Sequence, residues 1–152
     1  MMFTVYNTLL RLGALALLPA LPALMLARPR WRRGWRARLG WLRASDWEAF
    51  AELPRPRFWL HAASVGELNS LAAIAERLTV LHPGAALVVS TMTPNAQELV
   101  PQVIPSARHH FLLPLDFPGR MRRPCTPLEP DLLVITETEP WPTLLHPAKR
   151  PR

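Results

Sequence analysis

Residues 58–84 read FWLHAASVGELNSLAAIAERLTVLHPG, and this stretch decides the fold. It opens on an apolar run, residues 58–62, that is typical of a buried strand. Apolar residues then recur at positions 68, 71, 74, 75, 78 and 81, which predicts a helix over 68–81 that stops at Pro83-Gly84. A strand joined to a helix by so short a link predicts one unit of an α/β fold.

The same pattern continues along the chain. Residues 86–91, ALVVST, are rich in β-branched side chains and predict a second strand, and a short helix with Thr93 as its N-cap is predicted over 94–100. Residues 108–113 and 131–136 predict the third and fourth strands. Four strands with helical crossovers predict a parallel sheet that is covered on both faces.

Length and composition fit one globular domain. The chain has 152 residues, of which 49% are hydrophobic and 19% charged, and this balance excludes wholesale disorder. Its 18 prolines cluster around residues 19–56 and from 114 to the end, where regular structure is least expected. Cys125 is the only cysteine, so no internal disulfide is possible and we interpret it as a spare thiol.

The N-terminal part combines an apolar and a basic stretch. Residues 12–27, LGALALLPALPALMLA, carry no charge, and arginines follow at 28, 30, 32, 33, 36, 38 and 43. A bilayer span needs about 20 apolar residues, so this stretch predicts a short anchor or an interfacial helix. Because the positive charge comes after the apolar stretch, it disfavours a cleaved signal peptide and favours a cytoplasmic position for the following chain.

Tryptophans at 31, 35, 41 and 47 lie among or beside these arginines. Indole rings and guanidinium groups suit the headgroup layer of a membrane. We therefore predict that residues 1–50 form a membrane-associating arm and that residues 51–152 form the α/β domain. Two other interpretations stay open: contacts with nucleic-acid phosphates and bases, and an ordinary solvated run of charge. The adjoining apolar stretch favours the membrane, and no nucleic-acid partner is expected.

Polar residues follow each predicted strand. In a doubly wound sheet ligands bind beyond the carboxyl ends of the strands, and the stretches that fall there are 64–67, 92–95, 114–119 and 137–142. Gly66 permits close approach or an unusual dihedral, and the helix start near Glu67 favours an ionised carboxylate. Such a carboxylate either accepts a proton from an attacking hydroxyl, as a general base, or serves only as a helix-start residue.

Other chemistry is disfavoured by the motifs. The chain has no G-x-G-x-x-G fingerprint, no P-loop and no nucleophile elbow around Ser64. His61 ends the first strand and is interpreted as a buried, hydrogen-bonded histidine, while His109 and His110 are interpreted as part of a strand edge. Asp116 is as consistent with a turn as with a ligand contact. No spacing of these residues indicates a metal site.

Four stretches together resemble a known family. They are WLHAASVGELNS at 59–70, STMTPNAQELV at 90–100, LPLDFPG at 113–119 and PDLLVITETEPWPTLL at 130–145. From about Tyr6 to about Leu145, the chain resembles the N-terminal half of the bacterial 3-deoxy-D-manno-octulosonic acid (Kdo) transferases. The resemblance implies a GT-B glycosyltransferase with two Rossmann-like halves, which transfers Kdo from CMP-Kdo to the lipid A precursor. It also implies that no cofactor is needed beside this donor, and that the N-terminal segment attaches the protein to the cytoplasmic face of the inner membrane.

The resemblance gives roles to residues around the first strand. Glu67 matches the glutamate that is regarded as the general base in the family's H-A-x-S-V-G-E motif. Ser64 and Gly66 shape the same loop, and Asn69 is expected to add a polar contact on the acceptor side.

Two further loops carry matching residues. Thr93 and Asn95 match a T-x-T-P loop, which lines the cleft in the family. Glu137 and Glu139 belong to an E-T-E-x-W-P motif, of which one glutamate is expected to help the site. Pro140 stands where the family has an apolar residue, and a proline there biases the preceding backbone toward an extended conformation.

The last part of the chain departs further from the resembled enzymes. The stretch RRPCTPLEPD, residues 122–131, leaves room for about one helical turn between 118 and 123, where the family has a crossover helix. The sequence stops soon after Leu145, before the half that carries the CMP-Kdo site in the family. These residues alone are therefore expected to be inactive, and the alternative interpretation is a noncatalytic, membrane-bound remnant.

Overall fold

The computed structural model describes residues 8, 12–13, 16, 18–20, 33–41, 44–115 and 126–136. All four predicted strands are present, each within one residue of its predicted bounds. In chain order, the elements are a 3-10 turn (Leu18–Ala20), α1 (Trp35–Arg38), α2 (Ala44–Ala51), β1 (Arg57–Ala62), α3 (Val65–Leu81), β2 (Ala86–Thr91), α4 (Pro94–Val103), β3 (Ala107–Leu112) and β4 (Leu132–Ile135).

The strands form one parallel sheet in the order β3-β2-β1-β4. β1 pairs with β2 along its whole length and with β4 from Phe58 to His61, and β3 pairs with β2. The predicted parallel α/β sheet is thereby confirmed, and its order is consistent with a Rossmann-like fold. Because all strands point the same way, their carboxyl ends meet at one edge, which we call the carboxyl edge; the opposite one is the amino edge.

Side chains alternate across β1 and supply two separate cores. On one face of the sheet, Phe58 and Leu60 pack with apolar residues of α3 and α4. On the other face, Trp59 packs with Phe50 of α2 and with Leu128, which precedes β4. Both faces of the sheet are therefore covered, as the sequence predicts.

The two long helices each differ from prediction at one end. α3 begins at Val65, three residues before its predicted start, because Ser64 is its N-cap. α4 continues to Val103 although its predicted end is residue 100 and Pro101 lies inside it. A proline removes one N–H donor, but Val100 and Ile104 are buried, so packing against the sheet keeps the last turn helical.

The crossover to β4 contains a single helical turn among the residues that the structure describes. Its described part comprises residues 126–128, and Leu128 in it is buried. The turn predicted between 118 and 123 lies outside the described residues.

The N-terminal prediction is tested only in part. Of the apolar stretch 12–27, the structure describes residues 12–13, 16 and 18–20. Within the described part of the chain, no helix is both long and apolar enough to cross a membrane. Contacts do cross the predicted domain boundary, since Phe50 is buried in the core and Gly34 lies against Leu112 of β3. Parts of the arm thus pack on the α/β domain, and its membrane association stays a prediction.

Candidate functional site

The sheet has a topological switch point between β1 and β4. β2 and β3 follow on one side of β1, whereas β4 lies on the other side. In open α/β sheets the crevice beyond the carboxyl ends at such a point is where ligands bind. Thr136 follows β4 and donates to the carbonyl oxygen of His61 through both its N–H (3.1 Å) and its hydroxyl (3.0 Å). The loop after β1 and the residue before Glu137 are therefore fixed side by side.

Glu67 lies at this point and closes a capping box with Ser64. The Ser64 hydroxyl accepts from the N–H of Glu67 at 3.4 Å. In return, Oε2 of Glu67 accepts from the N–H of Ala63 at 2.6 Å and from that of Ser64 at 3.3 Å. The carboxylate is half-buried, and its position is set by main-chain donors at the start of α3.

The surroundings of Glu67 on α3 are open. Gly66 is exposed, and a Cβ at this position would meet nothing closer than the Ser64 hydroxyl, at 3.9 Å. Positive φ angles occur at Gly34 and Gly40 among the described glycines, so of the two alternatives that Gly66 permits, the unusual dihedral is not adopted and the close approach stays a prediction. Asn69 is exposed one residue beyond Leu68, in the first turns of the same helix.

The start of α4 lies at the same edge, beyond β2. Thr93 is its N-cap, as predicted, and its hydroxyl accepts from the N–H of Ala96 at 3.3 Å. Pro94 occupies the first helical turn, where a missing N–H costs nothing, and Asn95 beside it is exposed. The structure therefore brings Thr93 and Asn95 to the edge that also carries Glu67.

A series of side-chain hydrogen bonds links this loop to β3. The Thr91 hydroxyl donates to Oε1 of Gln97 at 3.0 Å and lies 3.3 Å from the carbonyl oxygen of Thr93. Nε2 of Gln97 lies 2.6 Å from Nδ1 of His110, which accepts because an amide nitrogen only donates. Burial, together with the nearby His109, lowers the pKa of His110, and a neutral ring suits this acceptor role.

His61 is a buried histidine, as the sequence predicts. Its Nδ1 lies 2.8 Å from the hydroxyl of Ser90, which also accepts from the indole N–H of Trp59 at 2.8 Å. Burial lowers the pKa of His61 to about 4, and the hydrogen bond with Ser90 and the charge of Glu67 offset that effect only in part. The ring is therefore neutral near pH 7 and is not placed to act as a general acid.

The sequence of these loops matches a family of transferases. Residues 33–152 match the N-terminal domain described as 3-deoxy-D-manno-octulosonic-acid transferase (kdotransferase). The chain belongs to the Kdo transferase family. This match covers the whole sheet, both capped helix starts and the docked part of the arm.

Curated Kdo transferases are similar over a limited part of their length. A 3-deoxy-D-manno-octulosonic acid transferase from Haemophilus influenzae is 30% identical over 142 residues, which are 93% of this chain and 32% of that protein. One from Chlamydia pneumoniae is 33% identical over 96 residues, 62% of this chain and 22% of that protein. A probable mitochondrial 3-deoxy-D-manno-octulosonic acid transferase from Arabidopsis thaliana is 27% identical over 95 residues, which are 62% of this chain and 21% of that protein. The chain spans about a third or less of the length of these Kdo transferases.

Sequence reasoning missed one residue at the carboxyl edge of this Kdo transferase domain. The arginines of the arm are predicted as a single membrane-facing group, but Nη2 of Arg38 donates to the carbonyl oxygen of Met92, between Thr91 and Thr93. The available signal is Gly34, a glycine within a run of arginine and tryptophan, which marks a close approach of the backbone.

Some predicted site residues are not tested. Glu137, Glu139 and Asp116 lie outside the described residues, so the predicted role of either glutamate stays a prediction. In the parts of the chain that the structure describes, no group of three histidine, cysteine, aspartate or glutamate residues could hold a metal ion.

Proposed function

We propose that this chain forms the acceptor-side domain of a GT-B Kdo transferase. In this proposal, Kdo passes from CMP-Kdo, the donor substrate, to a hydroxyl of the lipid A precursor at the cytoplasmic face of the inner membrane. The family match and the α/β sheet support a glycosyltransferase role in Kdo transfer. The N-terminal arm attaches the domain to the membrane surface, and CMP-Kdo binds to a second domain across the cleft.

The manner in which Glu67 is held is the observation that supports the proposal best. The hydrogen bonds that described residues make to its carboxylate both go to Oε2. An ionised carboxylate accepts at both oxygens, so we assign Oε1 to the acceptor hydroxyl. A base held by main-chain donors keeps its direction without reorganising during the reaction.

The reaction then needs one proton acceptor on this domain. The hydroxyl oxygen of the lipid A precursor attacks the anomeric carbon of Kdo, and the bond from that carbon to the phosphate oxygen of CMP breaks. CMP leaves with the electrons of that bond, while Glu67 takes the hydroxyl proton. Ser64 and Ala63 hold the carboxylate, and we assign the exposed Asn69 and Asn95 to contacts with sugar hydroxyls.

Replacing Glu67 by Gln in a complete enzyme tests the role of this residue. We would exchange the matched segment of the Haemophilus influenzae transferase for residues 1–152 of this chain and measure Kdo transfer from CMP-Kdo to the lipid A precursor. Gln also serves in a capping box, so the helix start is retained. Transfer should fall by about 10²- to 10⁴-fold, the usual contribution of a general base.

Glu76 provides the matched control for this experiment. It is an exposed glutamate on the same helix, and Glu76→Gln makes the same chemical change away from the site. Its transfer rate should stay within about twofold of the parent chimera. Undiminished transfer by the Glu67→Gln chimera would show that Glu67 is only a helix-start residue.

A further inference from the structure

The helix α1 is seated directly on the end of β3. Gly34 precedes it with a φ of +73°, a left-handed conformation that side chains other than glycine disfavour. A Cβ on Gly34 would lie 2.3 Å from Cδ1 of Leu112 and 3.6 Å from Cγ of Pro94. Backbone conformation and contact therefore both require glycine here, and they bring α1 against the carboxyl edge of the sheet.

Arg38, at the end of α1, contacts two separate loops. Its guanidinium Nη2 donates to the carbonyl oxygen of Met92, in the loop between β2 and α4. Its own carbonyl oxygen accepts from the N–H of Leu115, in the segment that follows β3, at 2.8 Å. One residue of the arm thus joins two of the stretches that the sequence singles out at this edge, 92–95 and 114–119.

Arg38 differs in this respect from the other arginines described on the arm. Its side chain is half-buried, and this burial lowers the pKa of Arg38. Arg33 pairs with Glu98 of α4, but both side chains are 59% exposed, and such pairs contribute little. Arg36 is exposed. Of the arginines described on the arm, Arg38 is therefore the one that joins α1 to the two loops.

We infer that Arg38 is a positioning residue of the acceptor site. It sets the loop of Thr93 and Asn95 at a fixed distance from the loop after β3, and it makes part of the basic arm a structural component of the site. The inference rests on the proposed function, because a positioning role of Arg38 in acceptor binding requires that this domain bind the acceptor. Without the guanidinium, the Met92 carbonyl loses a donor in partly buried surroundings, and the loop is freed to move.

A comparison of Arg38→Met with Arg36→Met separates positioning from charge. Both changes remove one positive charge from the same short helix and leave a side chain of similar length. Amide hydrogen exchange of the 152-residue chain should become about tenfold faster at residues 92–97 and at Leu115 in Arg38→Met, and stay unchanged in Arg36→Met. Affinity for the lipid A precursor in uncharged detergent micelles should fall about tenfold in Arg38→Met and less than about twofold in Arg36→Met.

Arg38→Lys distinguishes a positioning role from a general loss of stability. Lysine keeps a donor that can reach the Met92 carbonyl, so it should restore most of the exchange protection and affinity that Met loses. If Arg38→Met fails to fold, the same two measurements on Arg38→Lys, Arg38→Gln and Arg36→Met decide the question. Glutamine is too short to reach the Met92 carbonyl oxygen. If amide exchange at residues 92–97 of Arg38→Gln is as slow as in the parent chain, the inference is overturned.

The outcomes also separate this inference from the proposed function. Equal loss of affinity in the Arg36 and Arg38 variants, with unchanged exchange, would mean that the arginines act only as a charged patch, and the inference would fall. If the parent chain does not bind the lipid A precursor, the proposed function fails. In that case, unchanged exchange in Arg38→Met would overturn the positioning role as well, and faster exchange would support it.

Discussion

The two edges of the sheet use polar side chains in different ways. At the amino edge, the buried Arg57 donates to four main-chain carbonyl oxygens, those of Leu53 (2.9 Å), Ala51 (2.6 Å), Pro127 (3.3 Å) and Leu128 (3.1 Å). The planar guanidinium, with five donors in a fixed fork, suits this arrangement. One side chain thereby joins the end of α2 to the turn before β4.

Carboxylates complete the amino edge. Oδ2 of Asp131 accepts from the N–H of Arg57 at 2.8 Å, and Oδ1 pairs with Arg55 at 2.9 Å. Glu129 pairs with the same Arg55 at 2.7 Å. The Arg55 pairs are partly exposed and contribute at most about 1 kcal/mol each, so most of the stabilisation at this edge comes from Arg57.

At the carboxyl edge, most polar side chains bond to the loop that carries them. Ser64 and Thr93 each cap the helix that follows, and Asn69 and Asn95 are exposed. Arg57 at the amino edge therefore joins distant segments, whereas the two helix caps at the carboxyl edge keep their own loops in shape, with Arg38 and Thr136 among the contacts there that join separate segments. We expect substitutions at the amino edge to act on stability and those at the carboxyl edge to act on ligand binding.

The largest effect on stability is expected from Arg57→Met. Methionine fills much of the same space but leaves four carbonyl oxygens without this donor, of which that of Leu128 is in a buried hydrogen bond. The free energy of unfolding should fall by about 3 kcal/mol or more, measured by urea denaturation. Arg77→Met, an exposed arginine on α3, is the control and should change it by less than about 0.5 kcal/mol. If Arg57→Met and Arg77→Met lower the free energy of unfolding by similar amounts, the contrast between the two edges does not hold.

The stability of the fold should fall at acidic pH because of His61, which lies in β1 near the carboxyl edge. Burial lowers the pKa of His61 to about 4, whereas an unfolded histidine has a pKa of about 6.5. Between these values the unfolded chain binds the additional proton, so stability falls as pH falls from about 6.5 towards 4. Linkage gives a loss of about 2 kcal/mol in the free energy of unfolding between pH 8 and pH 5. Burial also lowers the pKa of His110, which adds a loss in the same direction.

Urea denaturation at pH 8 and pH 5 measures this loss. His61→Gln should abolish most of the difference between the two pH values, whatever its effect on stability at pH 8. His82→Gln, which changes an exposed histidine, should leave the difference intact. An unaltered pH dependence in His61→Gln would mean that the pKa of His61 is the same in the folded and the unfolded chain.

The strands were predictable because a buried parallel strand has a simple pattern. Short runs between turn residues place β1 to β4 within one residue, and the pattern is clearest for β1 and β2, whose residues are all buried. Helix ends were less predictable. Pro101 predicts a stop at residue 100, but tertiary packing of Ile104 outweighs one lost hydrogen bond.

The site was predictable where its geometry is local. The N-cap at Thr93 and the placement of Glu67 in the first turn of α3 follow from residues three or four positions apart. Arg38 could not be found this way, because Arg36 and Arg38 have the same type of neighbours in the sequence. The contacts of Arg38 with Met92 and Leu115, far along the chain, tell them apart.

The smallest effects are expected at the two helix caps. Ser64→Ala and Thr93→Ala each remove an acceptor for one N–H group, that of Glu67 (3.4 Å) or of Ala96 (3.3 Å), and each should lower the free energy of unfolding by about 1 kcal/mol. Urea denaturation measures both, with Ser70→Ala, an exposed serine on α3, as a control that should change stability less. The main-chain donors to Oε2 of Glu67 remain in Ser64→Ala, so its carboxylate should keep its position. A loss well above 2 kcal/mol for Ser64→Ala would show that this cap stabilises more than the start of its own helix, and the contrast between the edges would then be one of degree.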